Sequence, residues 1–171
     1  MDLSQLEDIF DYKNKLMEEL ITNQTIVELI APNRNYMDNP EGLIYKTVFP
    51  FEYVPDTLED AATYVCYDVD IQKVFDKTYL QPTLYVWVLT HKSLMRLDEG
   101  GVRVDKIVSE ITKMLNGSRC YTMGELELYG VRRFSIMNDY CGKQITFVGK
   151  EWNRPKSARD KHEIPDNRKR V

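Results

Sequence analysis

A run of six apolar or aromatic residues, at positions 84–89, constrains the fold more than any other feature of the sequence. Side chains of a β-strand alternate between its two faces, so such a run makes both faces apolar and predicts a central strand, spanning residues 83–90. Residues 64–71 instead alternate, with Val65, Tyr67 and Val69 on one face and polar residues mostly on the other. This pattern predicts a half-buried strand in the same sheet.

Two further segments carry apolar residues at helical spacing. The first, residues 6–21, includes Phe10 in its apolar stripe, and the second covers residues 102–115. Asn23 is a predicted N-cap for a short helix between them, because its side-chain oxygen can accept a hydrogen bond from a free backbone N–H group. The sequence therefore predicts two main helices, each with one face turned to a core.

Three more extended segments complete the predicted sheet. Residues 49–55 contain two prolines, which lack the N–H group that a central strand needs, so this segment is predicted at an edge. Residues 125–136, with Leu126 and Leu128 facing inward and a bulge near Gly130, and residues 143–148 are predicted to close the sheet. The fold class that follows is α+β, with a four- to five-stranded mixed or antiparallel sheet and two main helices packed on one face.

The link between the two best-defined strands, residues 72–82, is longer than a tight turn requires and predicts a projecting hairpin. It combines apolar anchors with a polar surround, a mixture that suits a protein interface, although tyrosine is also an ordinary strand residue. The candidate assembly contacts in this hairpin are Phe75, Asp76, Lys77, Tyr79 and Leu80.

The end of the chain differs from the rest. Residues 153–171 hold seven Lys or Arg and three Asp or Glu, a net charge of +4, which leaves −8 for the remainder because the total is −4. With few apolar residues, this segment is predicted to be a mobile basic extension of one domain, residues 1–152. Its candidate contacts, with the acidic surface of a neighbouring subunit, are Arg154, Lys156, Arg159 and Lys161.

Composition argues against several functional classes. The net charge of −4 offers no general attraction to nucleic acid, and no apolar run approaches the length that spans a bilayer. The first residues lack the basic and apolar regions of a secretion signal. The three cysteines have no CxxC spacing, so we expect free and mostly buried thiols in a reducing compartment.

No pattern in the sequence supports catalysis. His91 is the one histidine in the predicted domain, and it lies near Ser93 without a G-x-S-x-G motif. Asp68 and Asp70 project from the same strand face and could hold Mg²⁺, but this spacing is common on solvated strands. We therefore expect no enzyme activity, cofactor or metal site. A metal-dependent nuclease that uses Asp68 and Asp70 is the alternative from a different functional class.

Five segments, in their order along the chain, carry a family resemblance: residues 49–55 (FPFEYVP), 64–71 (YVCYDVDI), 90–96 (THKSLMR), 98–101 (DEGG) and 115–118 (LNGS). Over about residues 4–153 the chain resembles the tail terminator and tail-completion proteins of long-tailed bacteriophages and prophages. More narrowly, it is similar to a neck (head–tail connection) protein of prophages from low-GC Gram-positive bacteria. The basic extension is not part of the resemblance.

The resemblance implies a structural role in the virion, with assembly in the cytoplasm of the bacterial host and no membrane contact. Such proteins form a ring, commonly a hexamer, at the head-proximal end of the tail tube. The implied partners are further copies of the chain, the tail tube protein and the head connector or other neck proteins. DNA would pass through the lumen without specific binding, which suits a negatively charged domain. Another neck or tail-assembly component, such as a head-closure or sheath-joining protein, remains an alternative.

Overall fold

The computed structural model describes residues 3–31, 39–53, 61–75, 79–122, 124–136 and 139–152, with the backbone alone for residues 3–8 and 72–75. The helices are α1 (Leu3–Thr22), α2 (Gln24–Ile30) and α3 (Arg103–Leu115), and short 3-10 helices cover Pro40–Leu43 and Lys92–Leu94. The strands are β1 (Val48–Phe49), β2 (Thr63–Phe75), β3 (Tyr79–His91), β4 (Glu127–Ile136), β5 (Tyr140–Val148) and β6 (Glu151–Trp152).

The six strands form one mixed sheet. Its order is β1-β2-β3-β5-β4, and β6 pairs with the beginning of β3. Only β1 and β2 run parallel, whereas the other pairs are antiparallel. The predicted α+β class and the central position of β3 are confirmed. The sheet has more strands than predicted because β6, which has two residues, adds a short strand beside β3.

One face of the sheet packs against all three helices and forms the main core. Antiparallel pairing aligns Tyr67, Val86 and Ile145 across β2, β3 and β5, and all three side chains are fully buried. Burying a large apolar side chain of this kind stabilises the folded state by roughly 1.5–3 kcal/mol relative to leaving it exposed to water. The helices contribute the rest of the core, including Leu16, Leu20, Ile26, Ile107, Ile111 and Leu115.

The opposite face carries a second, aromatic cluster. Phe49, Cys66 and Trp87 are buried there, and the ring of Tyr53 stacks on that of Phe49 with centroids 3.9 Å apart. Tyr53 comes after the edge strand, so the chain folds back over this face. Burial raises the pKa of the Cys66 thiol from 9.0 to about 11. No residue of the described helices belongs to this cluster, and aromatic rings cover this face in their place.

Two predictions about the helices have different outcomes. The N-cap is confirmed, because Asn23 Oδ1 accepts a hydrogen bond from the backbone N–H of Ile26 at 3.1 Å. The placement of Phe10 in the apolar stripe is wrong, since its side chain is 65% exposed. Among the described side chains of α1, the fully buried ones begin at Leu16, whereas Tyr12 is partly buried and packs against the edge of the core. None of the described helices is long and apolar enough to cross a membrane.

The predicted link over residues 72–82 is wrong in extent. Strand β2 continues to Phe75 and β3 begins at Tyr79, and these two residues face each other. Pro82 lies inside β3 although it has no backbone N–H to donate to the ladder. A bulge between Ile71 and Lys73, opposite Pro82, lets the ladder continue past it. The hairpin therefore consists mostly of paired strand.

The predicted inward orientation of Leu128 is confirmed by the strand register, because Leu128 lies opposite Phe147, which belongs to the main core. The Leu128 side chain is nevertheless 38% exposed, since β4 is the last strand of the sheet and has no neighbouring strand on its outer side. The predicted bulge is confirmed by a register shift between Leu128 and Gly130.

All three cysteines are free. Cys66 is buried as expected, and Cys141 is partly buried. Cys120 is exposed, against the expectation of mostly buried thiols, because it lies in the surface loop between α3 and β4.

Candidate assembly surfaces

The hairpin and the end of the described chain meet at one place. Strand β6 pairs with β3 so that Trp152 lies opposite Tyr79, and the two rings are 4.7 Å apart. Lys150 Nζ lies 4.1 Å from the centroid of the Tyr79 ring, a cation–π contact. The basic extension therefore begins beside the predicted hairpin contact Tyr79, a proximity that no local pattern predicts because Tyr79 and Trp152 are far apart in the sequence.

The predicted contact residues have different positions. Tyr79 is partly exposed, whereas Leu80 is only 4% exposed and belongs to the protein interior rather than to an accessible surface. Phe75 ends β2, and its side chain is not described. The other predicted contacts lie outside the described residues, and they are Asp76, Lys77, Arg154, Lys156, Arg159 and Lys161.

A surface that the sequence analysis did not assign to assembly follows strand β4. We define the β4 edge as Leu128, Tyr129, Val131, Arg132 and Arg133, all of which are exposed. Tyr129 is 72% exposed, an unusual position for a large aromatic side chain. Two adjacent arginines and a glycine within one strand were an available signal, because charged residues and bulges are typical of edge strands.

A second surface lies at the opposite end of the sheet. We define the β1 edge as Tyr45, Phe51, Glu52 and Asp70, which lie on or beside the outermost strands β1 and β2. Tyr45 is 62% exposed and has a φ of 58°, in the left-handed region that side chains rarely adopt. Its N–H donates to Val48 O at 2.9 Å, which holds this turn, and its ring lies 6.3 Å from that of Phe51.

Asp68 and Asp70, the two acids considered for metal binding, have different surroundings in the structure. Asp68 Oδ1 lies 2.6 Å from Lys13 Nζ and accepts the N–H of Val69 at 2.7 Å. Asp70 is exposed and lies on the same strand face. The described part of the chain contains no group of three or more His, Cys, Asp or Glu side chains that could hold a metal ion.

His91 has a local structural contact. Its Nδ1 atom accepts the N–H of Ser93 at 3.3 Å and lies 2.7 Å from the Ser93 hydroxyl oxygen. This arrangement caps the 3-10 helix at Lys92–Leu94, which begins directly after the histidine. The ring of Tyr140 packs against the imidazole edge, with centroids 5.3 Å apart.

Comparison with known protein families extends this description. The model of the YomW family matches residues 23–148, about three quarters of the chain. The chain belongs to the YomW family. This family is of the phage and Bacillus-prophage type, so the protein is phage-related. The part matched by the YomW model runs from the N-cap of α2 to the last residue of β5, and it includes both sheet edges. No curated protein matches the chain.

Proposed function

We propose that the protein is a structural virion component that forms a ring at the head-proximal end of a phage tail tube. In this role it ends polymerisation of the tail and joins the tail to the head connector. The observation that carries the proposal is the pair of exposed sheet edges, one at each end of a single sheet. Membership of a phage-related family and the resemblance to tail terminators support the proposal that this assembly is part of a phage tail.

Ring formation requires two different surfaces on every subunit. A head-to-tail contact repeated around an axis closes into a ring, whereas one self-complementary surface produces only a dimer. The β4 edge and the β1 edge are unlike in composition and lie at opposite ends of the sheet. A long exposed edge strand such as β4 and exposed aromatic side chains such as those of Tyr45 and Phe51 tend to associate, which supports assembly through these surfaces.

The proposed partners beyond the ring are the tail tube protein and the head connector or neck proteins. DNA crosses the lumen without specific recognition, which is consistent with the net charge of −4. The hairpin end with Tyr79 and the basic extension of residues 153–171 are the proposed contacts with these partners, because Tyr79 and Trp152, after which the extension begins, belong to neither edge. The role requires no catalytic residue and no cofactor.

Light scattering coupled to size-exclusion chromatography, followed by electron microscopy of the purified full chain, tests the proposal. We expect an oligomer of one defined size that appears as rings in the micrographs. Six subunits are expected, because the tail terminators that the chain resembles are commonly hexamers. A chain that remains monomeric at every concentration, or that forms only open aggregates, would contradict ring formation.

A further inference from the structure

We infer that the β4 edge of one copy docks on the β1 edge of the next copy, so that the ring is closed by a head-to-tail contact between opposite ends of the sheet. This inference rests on the proposed function, because it names the surfaces through which the ring would form. Both surfaces lie within the part of the chain that matches the YomW family.

The β4 edge presents a positive charge that is not neutralised within the described part of the chain. Arg132 and Arg133 are exposed, and neither forms an ion pair with another described residue. Arg133 lies opposite Lys143 on the neighbouring strand, and Lys143 already pairs with Asp105 at 2.6 Å. Like charges on facing strands repel, so Arg133 gains from an acidic partner outside its own subunit.

The β1 edge has the complementary chemistry. Glu52 and Asp70 are exposed and form no ion pair with a described residue, while Tyr45 and Phe51 provide two adjacent exposed rings. A guanidinium group binds carboxylates through two parallel hydrogen bonds and also stacks on aromatic faces. The β1 edge therefore offers both kinds of partner that Arg132 and Arg133 can bind.

A symmetric contact between two β4 strands is less favourable. A two-fold axis through the middle of the strand would bring Arg132 and Arg133 of both copies close together. Four positive charges would then lie near the axis, whereas the one acid of the strand, Glu127, would lie at its far end in each copy, and facing like charges are destabilising. Charge therefore favours the pairing of unlike edges.

Side chains, rather than one continuous backbone ladder, are expected to form most of the contact. Strand β1 has only two residues, and further along the edge the N–H of Val69 is already bound by the Asp68 carboxylate. A satisfied N–H group has no hydrogen bond left for an incoming strand. The Tyr45 turn, held by its own hydrogen bonds despite its positive φ, then acts as a rigid aromatic anchor.

The test reverses the charge of each edge in the full-length chain. We expect R132E/R133E and E52K/D70K each to weaken self-association about 100-fold or more, because every close charge pair becomes repulsive. The control K92E/R96E makes the same change in net charge as R132E/R133E, at two exposed residues outside both edges. It should associate like the wild type, and the thermal unfolding temperature of every variant checks that the fold is intact.

The quadruple variant E52K/D70K/R132E/R133E decides which surfaces meet. If unlike edges pair, exchanging their charges restores association, and mixing the two double variants also restores it. Loss of association without recovery in either experiment overturns the head-to-tail contact, as does an R132E/R133E variant that assembles normally. A wild-type chain that never associates overturns the proposed ring itself, whereas these other results leave the ring in place.

Discussion

A single guanidinium group joins separate parts of the helical layer. Arg103, the first residue of α3, donates from Nε to Leu94 O and from a terminal nitrogen to Leu29 O, both at 2.7 Å. The two acceptors belong to the 3-10 helix after β3 and to the last turn of α2. Burial lowers the pKa of Arg103, yet arginine keeps its charge at neutral pH.

Replacing Arg103 by alanine should lower the free energy of unfolding by roughly 2–3 kcal/mol, because hydrogen bonds from a charged donor are lost and two carbonyl groups lose a partner. The exposed neighbour Arg96 provides the control, and R96A should change stability by no more than about 0.5 kcal/mol. Urea unfolding followed by circular dichroism measures both variants. Equal stability of R103A and R96A would show that these hydrogen bonds do not contribute.

At the scale of elements, the close contact between β3 and β5 depends on a glycine. A Cβ atom at Gly142 would lie 1.8 Å from the carbonyl oxygen of Val88, a backbone atom in the middle of the sheet. Backbone in a central strand cannot move aside without disturbing its own ladder. Gly130, in the neighbouring strand, has no atom within 4 Å of the corresponding position.

The pair G142A and G130A therefore separates steric clash from the general effect of glycine in a strand. We expect G142A to destabilise the protein by about 2 kcal/mol or more, as overpacking in a core commonly does. G130A should be neutral or stabilise by up to about 1 kcal/mol, because alanine loses less conformational entropy on folding. Chemical denaturation of both proteins gives the comparison, and similar losses in the two variants would argue against the clash.

At the scale of the whole molecule, several buried acidic groups link stability to alkaline pH. Burial raises the pKa of Tyr64 from 10.0 to about 12, and it also raises the pKa values of Tyr67 and Tyr121. Tyr121 additionally donates a hydrogen bond to Glu19 Oε2 at 2.5 Å, which favours its protonated form. In each case the folded state prefers the proton more strongly than the unfolded state does.

Stability should therefore be constant up to about pH 9 and fall at higher pH. A raised pKa in the folded state contributes stability that is complete below the unfolded pKa and is lost as pH rises toward the folded value. The unfolded values are 9.0 for Cys66 and 10.0 for the tyrosines, so the loss begins near pH 9. Urea titrations between pH 7 and about pH 11 measure it.

The variant Y67F is the control for this pH dependence. It removes one titrating group, and also the hydrogen bond from Tyr67 to Lys13 O at 2.8 Å. Y67F should be less stable at neutral pH but lose less stability above about pH 10. A free energy of unfolding that does not change between neutral and strongly alkaline pH would contradict this account of the buried groups.

The candidate contacts in the hairpin show what a local sequence pattern cannot predict, namely which side chains are exposed and which distant residues they contact. Tyr79 was selected for its place in a hairpin, but its contacts with Lys150 and Trp152 come from residues about seventy positions away. Leu80 was selected on the same grounds and is buried. The role of the hairpin and of the basic extension in assembly stays a prediction.

The sequence by itself determined the periodicities of β2, β3 and α3, the cap at Asn23 and the central position of β3. These features depend on alternation or helical spacing among near neighbours, and such spacing persists in any arrangement that buries the apolar side. The fold class follows from the same patterns.

Only the tertiary structure decided which strands became edges. The pairing of β5 between β3 and β4 leaves β4 outermost, and this order turns Leu128 and Tyr129 into exposed residues. The folding back of the segment after β1 likewise buries Phe49 but leaves Phe51 exposed. Strand order depends on the free energy of contacts between residues that are distant in the sequence, and a local pattern contains no information about those contacts. The surfaces proposed for assembly could therefore be identified only in the folded chain.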